Sequence, residues 1–90
     1  VVLLDFGGRI DLAWEAEFRR ERVADVPTEM FRHFFHALCC AARCNLQIAA
    51  RGENDHHKAE AIFKAFARAL RMAVARQGFG YDIPSSKGVL

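Results

Sequence analysis

Two histidines and a carboxylate stand close together in the run His56-His57-Lys58-Ala59-Glu60, at the start of a strongly periodic amphipathic segment. Successive residues of an α-helix are rotated by about 100°, so His56, His57 and Glu60 fall within roughly a quarter turn of one helix face. Imidazole and carboxylate groups are common ligands of divalent transition metals. The spacing therefore predicts metal ligands, and the divergence of neighbouring histidines suits two nearby ions better than one. Glu60 could also act as a base.

Positive side chains continue the same helix face. Lys64 and Arg68 follow Glu60 by one and two turns, where they could meet an anion. A metal beside an anion-binding surface indicates chemistry on a phosphorylated small molecule. The alternative is a solvated helix start that carries an ordinary Glu60–Lys64 ion pair. Arg71 shares this face with Arg68, and we expect both arginines to form structural ion pairs.

Other residues could bind an anion or a metal in more than one way. Arg9 follows Gly7-Gly8, a turn where the backbone can approach a ligand closely, although an ordinary turn arginine is the simpler interpretation. Near the end of the sequence, hydroxyl, amide and ammonium groups beside a glycine fit an anion loop, or a frayed tail; these are Ser85, Ser86 and Lys87. His33 lies at the edge of an apolar helix stripe and would by itself suit a boundary histidine.

Length and composition limit the functional classes. Ninety residues make one small domain or a piece of one, and 52% of them are hydrophobic, with eight Phe. We expect some of this apolar surplus to pack against partner chains. Because the sequence starts Val1-Val2 and reads as strand from its first residue, we expect a fragment. The net charge of +2 argues against a nucleic-acid partner, and no apolar run approaches a membrane span.

Three cysteines, Cys39, Cys40 and Cys44, form an odd set within one helix and its exit. A reduced intracellular compartment is the simplest explanation, so we expect a cytoplasmic protein. Adjacent cysteines diverge on a helix, and their spacing matches no standard zinc finger.

The periodicities predict an α+β domain with the order β-β-α-β-α and both helices on one face of a sheet. Strands are expected over residues 1–6, 10–18 and 44–51, and helices over 28–43 and 56–76. Thr28, and either Asn54 or Asp55, are expected as N-caps. The predicted buried stripe of the first helix comprises Phe31, Phe34, Phe35, Leu38, Ala41 and Ala42. That of the second comprises Ile62, Phe63, Phe66, Ala69, Leu70, Ala73 and Val74, with Gly78 and Gly80 ending the helix.

Several stretches occur in the order and spacing of one known family. They are Asp5-Phe6-Gly7-Gly8-Arg9, Pro27-Thr28-Glu29-Met30 leading into His33-Phe34-Phe35, Gly52-Glu53-Asn54-Asp55-His56-His57, residues 60–70, and Pro84-Ser85-Ser86-Lys87-Gly88. Together they resemble the C-terminal half of imidazoleglycerol-phosphate dehydratase, a hydro-lyase of histidine biosynthesis. A lone His-His-x-x-Glu is a weak signal, but the combination is specific. Where many members of this family have Thr-Leu-His, this chain has Asn45-Leu46-Gln47.

The resemblance implies a fold, a reaction and a site. It implies that residues 1–90 form one of two similar half-domains, the other half being absent, and that subunits assemble into a 24-mer. It implies two Mn²⁺ ions per active site, with ligands from more than one half or subunit, and dehydration of imidazole glycerol phosphate to imidazole acetol phosphate. The metal ligands on this chain would be His33, His56, His57 and Glu60, with Glu60 and His57 in catalysis. The phosphate ligands would be Arg9, Lys64, Ser85, Ser86 and Lys87.

Two other functions remain compatible with the residues. One is a small α+β binding module whose basic face contacts RNA, which the balanced charge disfavours. The other is a structural fragment that has a divalent-metal site but no activity of its own. The second agrees with the dehydratase interpretation, because a half-subunit would hold only part of the ligand set.

Overall fold

The computed structural model describes residues 1–7 and 9–76. Along this part of the chain the elements are β1 (Val2–Asp5), β2 (Asp11–Glu15), β3 (Arg22–Val23), β4 (Val26–Pro27), α1 (Glu29–Ala42), β5 (Asn45–Ala49) and α2 (Asp55–Arg76). The predicted α+β class and β-β-α-β-α order are confirmed, with a short hairpin added in the charged segment before α1. The predicted helix end at Gly78 and Gly80 lies outside the described residues.

Three strands form the main sheet, in the order β1-β5-β2. The central strand β5 runs antiparallel to β1 and parallel to β2. Leu46 stands opposite both Leu4 and Leu12, and Ile48 stands opposite Val2 and Trp14. The register therefore aligns the apolar positions of all three strands on one face of the sheet.

Both helices cover that apolar face. Its core contains Phe35 and Cys39 from α1, Ile62 from α2, and Leu46 and Ile48 from β5. Leu3 and Gln47 are exposed on the opposite face, and the alternate positions Asn45 and Ala49 of the central strand are half-buried. Period-two alternation in a strand requires this division, because one face packs on the helices and the other meets water. The prediction of two helices on one face is confirmed.

The predicted helix stripes are wrong at their edges. On α1 the fully buried positions are Phe35 and Cys39, one turn apart, whereas Phe34 is 46% exposed and Ala41 and Ala42 are also exposed. On α2, Phe63 and Leu70 are 38% and 37% exposed. A three-stranded sheet covers only a narrow strip of each helix, so the apolar residues that flank this strip remain at the surface within one chain.

The two helix N-termini are held by different contacts. The Asn54 side chain caps α2, since its Oδ1 accepts a hydrogen bond from the His57 amide at 2.9 Å. Thr28 stands at the predicted cap position of α1 but makes no side-chain cap. Its hydroxyl instead donates to the carbonyl oxygen of Arg20 at 2.8 Å. Gly52, with φ of 151°, makes the turn before α2 in a conformation that other residues rarely adopt.

A tight hairpin joins β3 to β4 through Ala24 and Asp25, both with positive φ. Such a two-residue turn follows the twist of its strands, although Asn-Gly is the commoner sequence. The hairpin continues the connection that leads from β2 to α1. Neither helix of the described residues is sufficiently long and apolar to cross a membrane.

Candidate metal and phosphate site

The predicted metal motif lies on the first turn of α2. His56 and His57 are both exposed there, directly after the Asn54 cap. Their ring centroids are 6.3 Å apart and their planes are 76° from parallel. The rings therefore diverge, as neighbouring side chains on a helix must, and they suit separate ions better than a single one.

Glu60 and Lys64 continue the exposed face, one and two turns further along α2. Lys64 Nζ lies 3.5 Å from Glu60 Oε2, and their side chains are 69% and 51% exposed. The ordinary ion pair considered from the sequence is thus present. Because both groups face solvent, either one can exchange this partner for a ligand at small cost.

The predicted ligand His33 lies on a different part of the surface. It is exposed on α1 and lines a cleft of about 670 Å³. His57 lines a larger open cleft of about 1110 Å³. Trp14 and Phe18 line both clefts, so the cleft that contains His33 and the cleft that contains His57 share two aromatic side chains.

These donors form only part of a metal site within one chain. Among residues 1–7 and 9–76, no three His, Cys, Asp or Glu side chains are placed to hold a metal ion together. The exposed imidazoles and carboxylate are nevertheless suitable donors for Mn²⁺. The residues present therefore fit such an ion only with further ligands from outside this part of the chain.

The predicted phosphate ligands are divided between the described and the undescribed parts of the chain. Arg9 is exposed in the connection between β1 and β2, and Lys64 is exposed on α2. Gly8, Ser85, Ser86 and Lys87 lie outside the described residues. Whether these cationic and hydroxyl groups converge on one anion stays a prediction.

Sequence reasoning missed a buried charged pair beside the histidines. The side chains of Asp55 and Lys58 are 1% and 6% exposed, with Lys58 Nζ 3.7 Å from Asp55 Oδ1. Asp55 Oδ2 accepts a hydrogen bond from the Arg20 amide at 2.7 Å. Lys58 Nζ donates to the Glu17 carbonyl oxygen and lies 5.1 Å from the Phe18 ring centroid.

The environment of Asp55 favours its ionised form. The hydrogen bond from the Arg20 amide is the main cause that lowers its pKa, and the nearby Lys58 ammonium lowers it further, against the opposing effect of burial.

The helical periodicity of α2 could have predicted that Asp55 and Lys58 are buried. Residues 55, 58, 59, 62 and 66 recur at the spacing of the core-facing stripe of α2, so both charged residues share the face of Ile62.

The cysteines at the end of α1 are largely core residues. Cys39 and Cys44 are fully buried, while Cys40 is exposed. Burial, reinforced by the adjacent Cys44, raises the pKa of Cys39 to about 11. Burial likewise raises the pKa of the Cys44 thiol. Both thiols therefore stay protonated at neutral pH and pack as small apolar groups.

The family is decided by comparison with known proteins. A family model for imidazoleglycerol-phosphate dehydratase matches residues 1–70. The chain belongs to the imidazoleglycerol-phosphate dehydratase family. The crystal structure of imidazoleglycerol-phosphate dehydratase from Staphylococcus aureus superimposes with a TM-score of 0.76 at 44% sequence identity, over 80% of this chain and 43% of that one.

Curated relatives of this dehydratase family agree. The chain is 60% identical over 89 residues to the histidine biosynthesis bifunctional protein HisB of Bacteroides fragilis, covering 99% of this chain and 24% of that protein. It is 57% identical over 88 residues to HisB of Spirosoma linguale, covering 97% of this chain and 23% of the relative. The chain thus spans about a quarter of the length of the curated relatives it matches.

Proposed function

We propose that this chain provides one half of the active site of an imidazoleglycerol-phosphate dehydratase, which removes water from imidazole glycerol phosphate to give imidazole acetol phosphate in histidine biosynthesis. The observation that carries the proposal is the exposed first turn of α2. His56 and His57 diverge there, and Glu60 and Lys64 follow on the same helix face. Membership of the dehydratase family supports the assignment of this chemistry.

Four residues of this chain are the proposed ligands of two Mn²⁺ ions: His33, His56, His57 and Glu60. When bound, a divalent cation lowers the pKa of a coordinated nitrogen or water, which would allow the substrate's imidazole to take up charge during dehydration. Since the described residues bring no three such donors together, we propose that the other half-domain or another subunit completes each ion's coordination. A 24-meric assembly would bring these parts together.

The remaining residues orient the substrate and move its proton. Glu60 is the proposed base for the side-chain proton, with His57 beside it, and the general acid would come from outside this chain. Arg9, Lys64, Ser85, Ser86 and Lys87 are proposed to hold the phosphate, far from the reacting carbon. Binding energy from this remote group can be used to fix the orientation of the reacting part.

Further aspects belong to the same proposal. Residues 1–90 correspond to the C-terminal half-domain, which agrees with the 43% of the solved relative that the chain covers. A cytoplasmic location suits a biosynthetic enzyme with three free cysteines. The small net charge supports neither a nucleic-acid nor a membrane partner.

The experiment is a Mn²⁺ titration followed by EPR, together with turnover, on the complete protein that contains this chain. His57→Ala should remove saturable Mn²⁺ binding and reduce turnover by at least about 10³-fold, because a donor close to the reacting centre is lost. His36 is an exposed histidine of α1 that is not among the proposed ligands, so His36→Ala is the matched control and should change neither quantity appreciably. Retention of both metal content and turnover in His57→Ala would contradict the proposed function.

A further inference from the structure

The first turn of α2 has two chemically distinct sides. Asp55 and Lys58 point inward and are almost fully buried, whereas His56 and His57, which lie between them in the chain, are exposed. Residues three apart share a helix face, so the buried pair and the two histidines occupy different faces of this turn. The pair thus brackets the proposed metal ligands in sequence and lies behind them in space.

Both buried groups bind the same segment of the β2–β3 connection. Asp55 Oδ2 accepts from the Arg20 amide, and Lys58 Nζ donates to the Glu17 carbonyl oxygen. Lys58 also lies against the Phe18 ring. These contacts join the beginning of α2 to a segment 35 to 41 residues earlier in the chain.

The same segment also holds α1. Thr28, immediately before α1, donates its hydroxyl hydrogen bond to the Arg20 carbonyl oxygen and its amide hydrogen bond to the Glu21 carbonyl oxygen. Arg20 is therefore bonded to both helix N-termini, through its amide to Asp55 and through its carbonyl oxygen to Thr28. His33 lies in the second turn of α1, so one segment contacts the N-terminal ends of both helices that carry the proposed histidine ligands.

We propose that Asp55 and Lys58 are positioning residues, which hold the first turn of α2 so that His56 and His57 are pre-oriented for metal binding. This inference rests on the proposed function of the histidines. Helix ends fray readily when they lack tertiary contacts. If the first turn were ordered for only a fraction of the time, the apparent dissociation constant of the metal would rise by the inverse of that fraction.

The test compares variants of the complete protein by Mn²⁺ titration with EPR detection, well below each variant's melting temperature. Lys58→Met keeps the apolar stem but removes the ammonium, and should weaken Mn²⁺ binding about tenfold. Lys58→Arg retains a cationic donor and should recover most of the affinity. Arg71→Met removes the same charge from an exposed position of the same helix and should bind Mn²⁺ within about twofold of the wild type.

Two further measurements separate positioning from stability. Ile48→Val destabilises the core without removing any of the hydrogen bonds or charge contacts of Asp55 and Lys58, and should leave Mn²⁺ affinity unchanged. Hydrogen exchange in the metal-free protein should show faster exchange of the His57 and Lys58 amides in Lys58→Met but not in Ile48→Val, because these two amides are bonded to Asn54 in the first turn. This second signal requires no bound metal.

The outcomes distinguish the two proposals. Wild-type Mn²⁺ affinity in Lys58→Met would overturn the positioning role even if its melting temperature falls. If His57→Ala abolishes Mn²⁺ binding in the same series, the proposed function would survive that result. Absence of saturable Mn²⁺ binding in the wild type, or its retention in His57→Ala, would overturn both proposals.

Discussion

Helix α2 contains two ion pairs of nearly the same local design in very different environments. Asp55–Lys58 spans three residues and is almost completely buried, whereas Glu60–Lys64 spans four residues and is more than half exposed. The buried pair is bonded to the β2–β3 connection, whereas the exposed pair joins two residues of the same helix. Sequence spacing thus shows that two charges can meet, while their position on the helix face decides whether they hold structure or remain accessible to a ligand.

Among changes to these two ion pairs, we expect the loss of Lys58 to have the largest effect on stability. Lys58→Ala leaves the Asp55 carboxylate buried without its cationic partner, which is strongly unfavourable. Thermal unfolding of the complete protein should show a lower melting temperature by on the order of 5 °C or more, against about 1 °C for Lys64→Ala. Equal shifts for the two variants would show that burial does not distinguish the pairs.

For Lys64 we expect the opposite combination, a large effect on function and little effect on stability. If Lys64 binds the substrate phosphate, Lys64→Gln should raise KM by at least about tenfold, because a charge-assisted contact with the phosphate is lost. The melting temperature should hardly change. Steady-state kinetics of the complete enzyme provide the measurement, with the exposed Arg71→Gln as control. An unchanged KM would remove Lys64 from the proposed phosphate site.

Low pH should destabilise the folded protein by protonating Asp55 of the buried pair. The pKa of Asp55 is lowered by folding, so the unfolded state takes up its proton first as the pH falls. Its stabilising contribution is therefore complete above its ordinary pKa of 3.8 and is lost as the pH falls through the lowered value of the folded state. The difference in unfolding free energy between wild type and Asp55→Asn should shrink in that acidic range, as measured by urea unfolding at a series of pH values. A difference independent of pH would contradict this assignment.

The smallest effect is expected at the exposed pair. Glu60→Gln should change the unfolding free energy by at most ~0.5 kcal/mol, because solvent screens the pair. That difference should disappear in about 1 M salt, where the Debye length is about 3 Å. Urea unfolding of the wild type and of Glu60→Gln, each at low and at high salt, measures this difference in unfolding free energy. A larger, salt-independent loss would show that Glu60 has a structural role.

The order and type of the main elements could be predicted from the sequence because each has a clear periodicity. Alternation placed Leu46 and Ile48 on the buried face of β5, and both are fully buried there. The family could also be predicted, because its motifs extend along the chain. The roles of individual site residues stay predictions, since the described donors do not complete a metal site.

Helix faces were predicted less well. The apolar composition of α1 suggested a broad buried stripe, but Phe34 is exposed and Cys39 occupies the core instead. When a helix is rich in Phe and Ala, the positions of its apolar residues do not define exactly which side of the helix faces the core. The burial of Asp55 and Lys58 was missed for a different reason, because charged residues are assigned to solvent unless a specific partner is known. Their partners are backbone groups of residues 17 and 20, which no local pattern identifies.

The sequence by itself determined the local structure and the chemistry available: the strands and helices, the His56-His57 pair with Glu60 one turn later, and the family. Only the tertiary structure decided that β5 lies between β1 and β2 and that the 17–21 connection joins both helix N-termini. The physical reason is the range of the interactions. Periodicity and capping act over a few residues, whereas strand order and the burial of an ion pair depend on contacts between residues far apart in the chain.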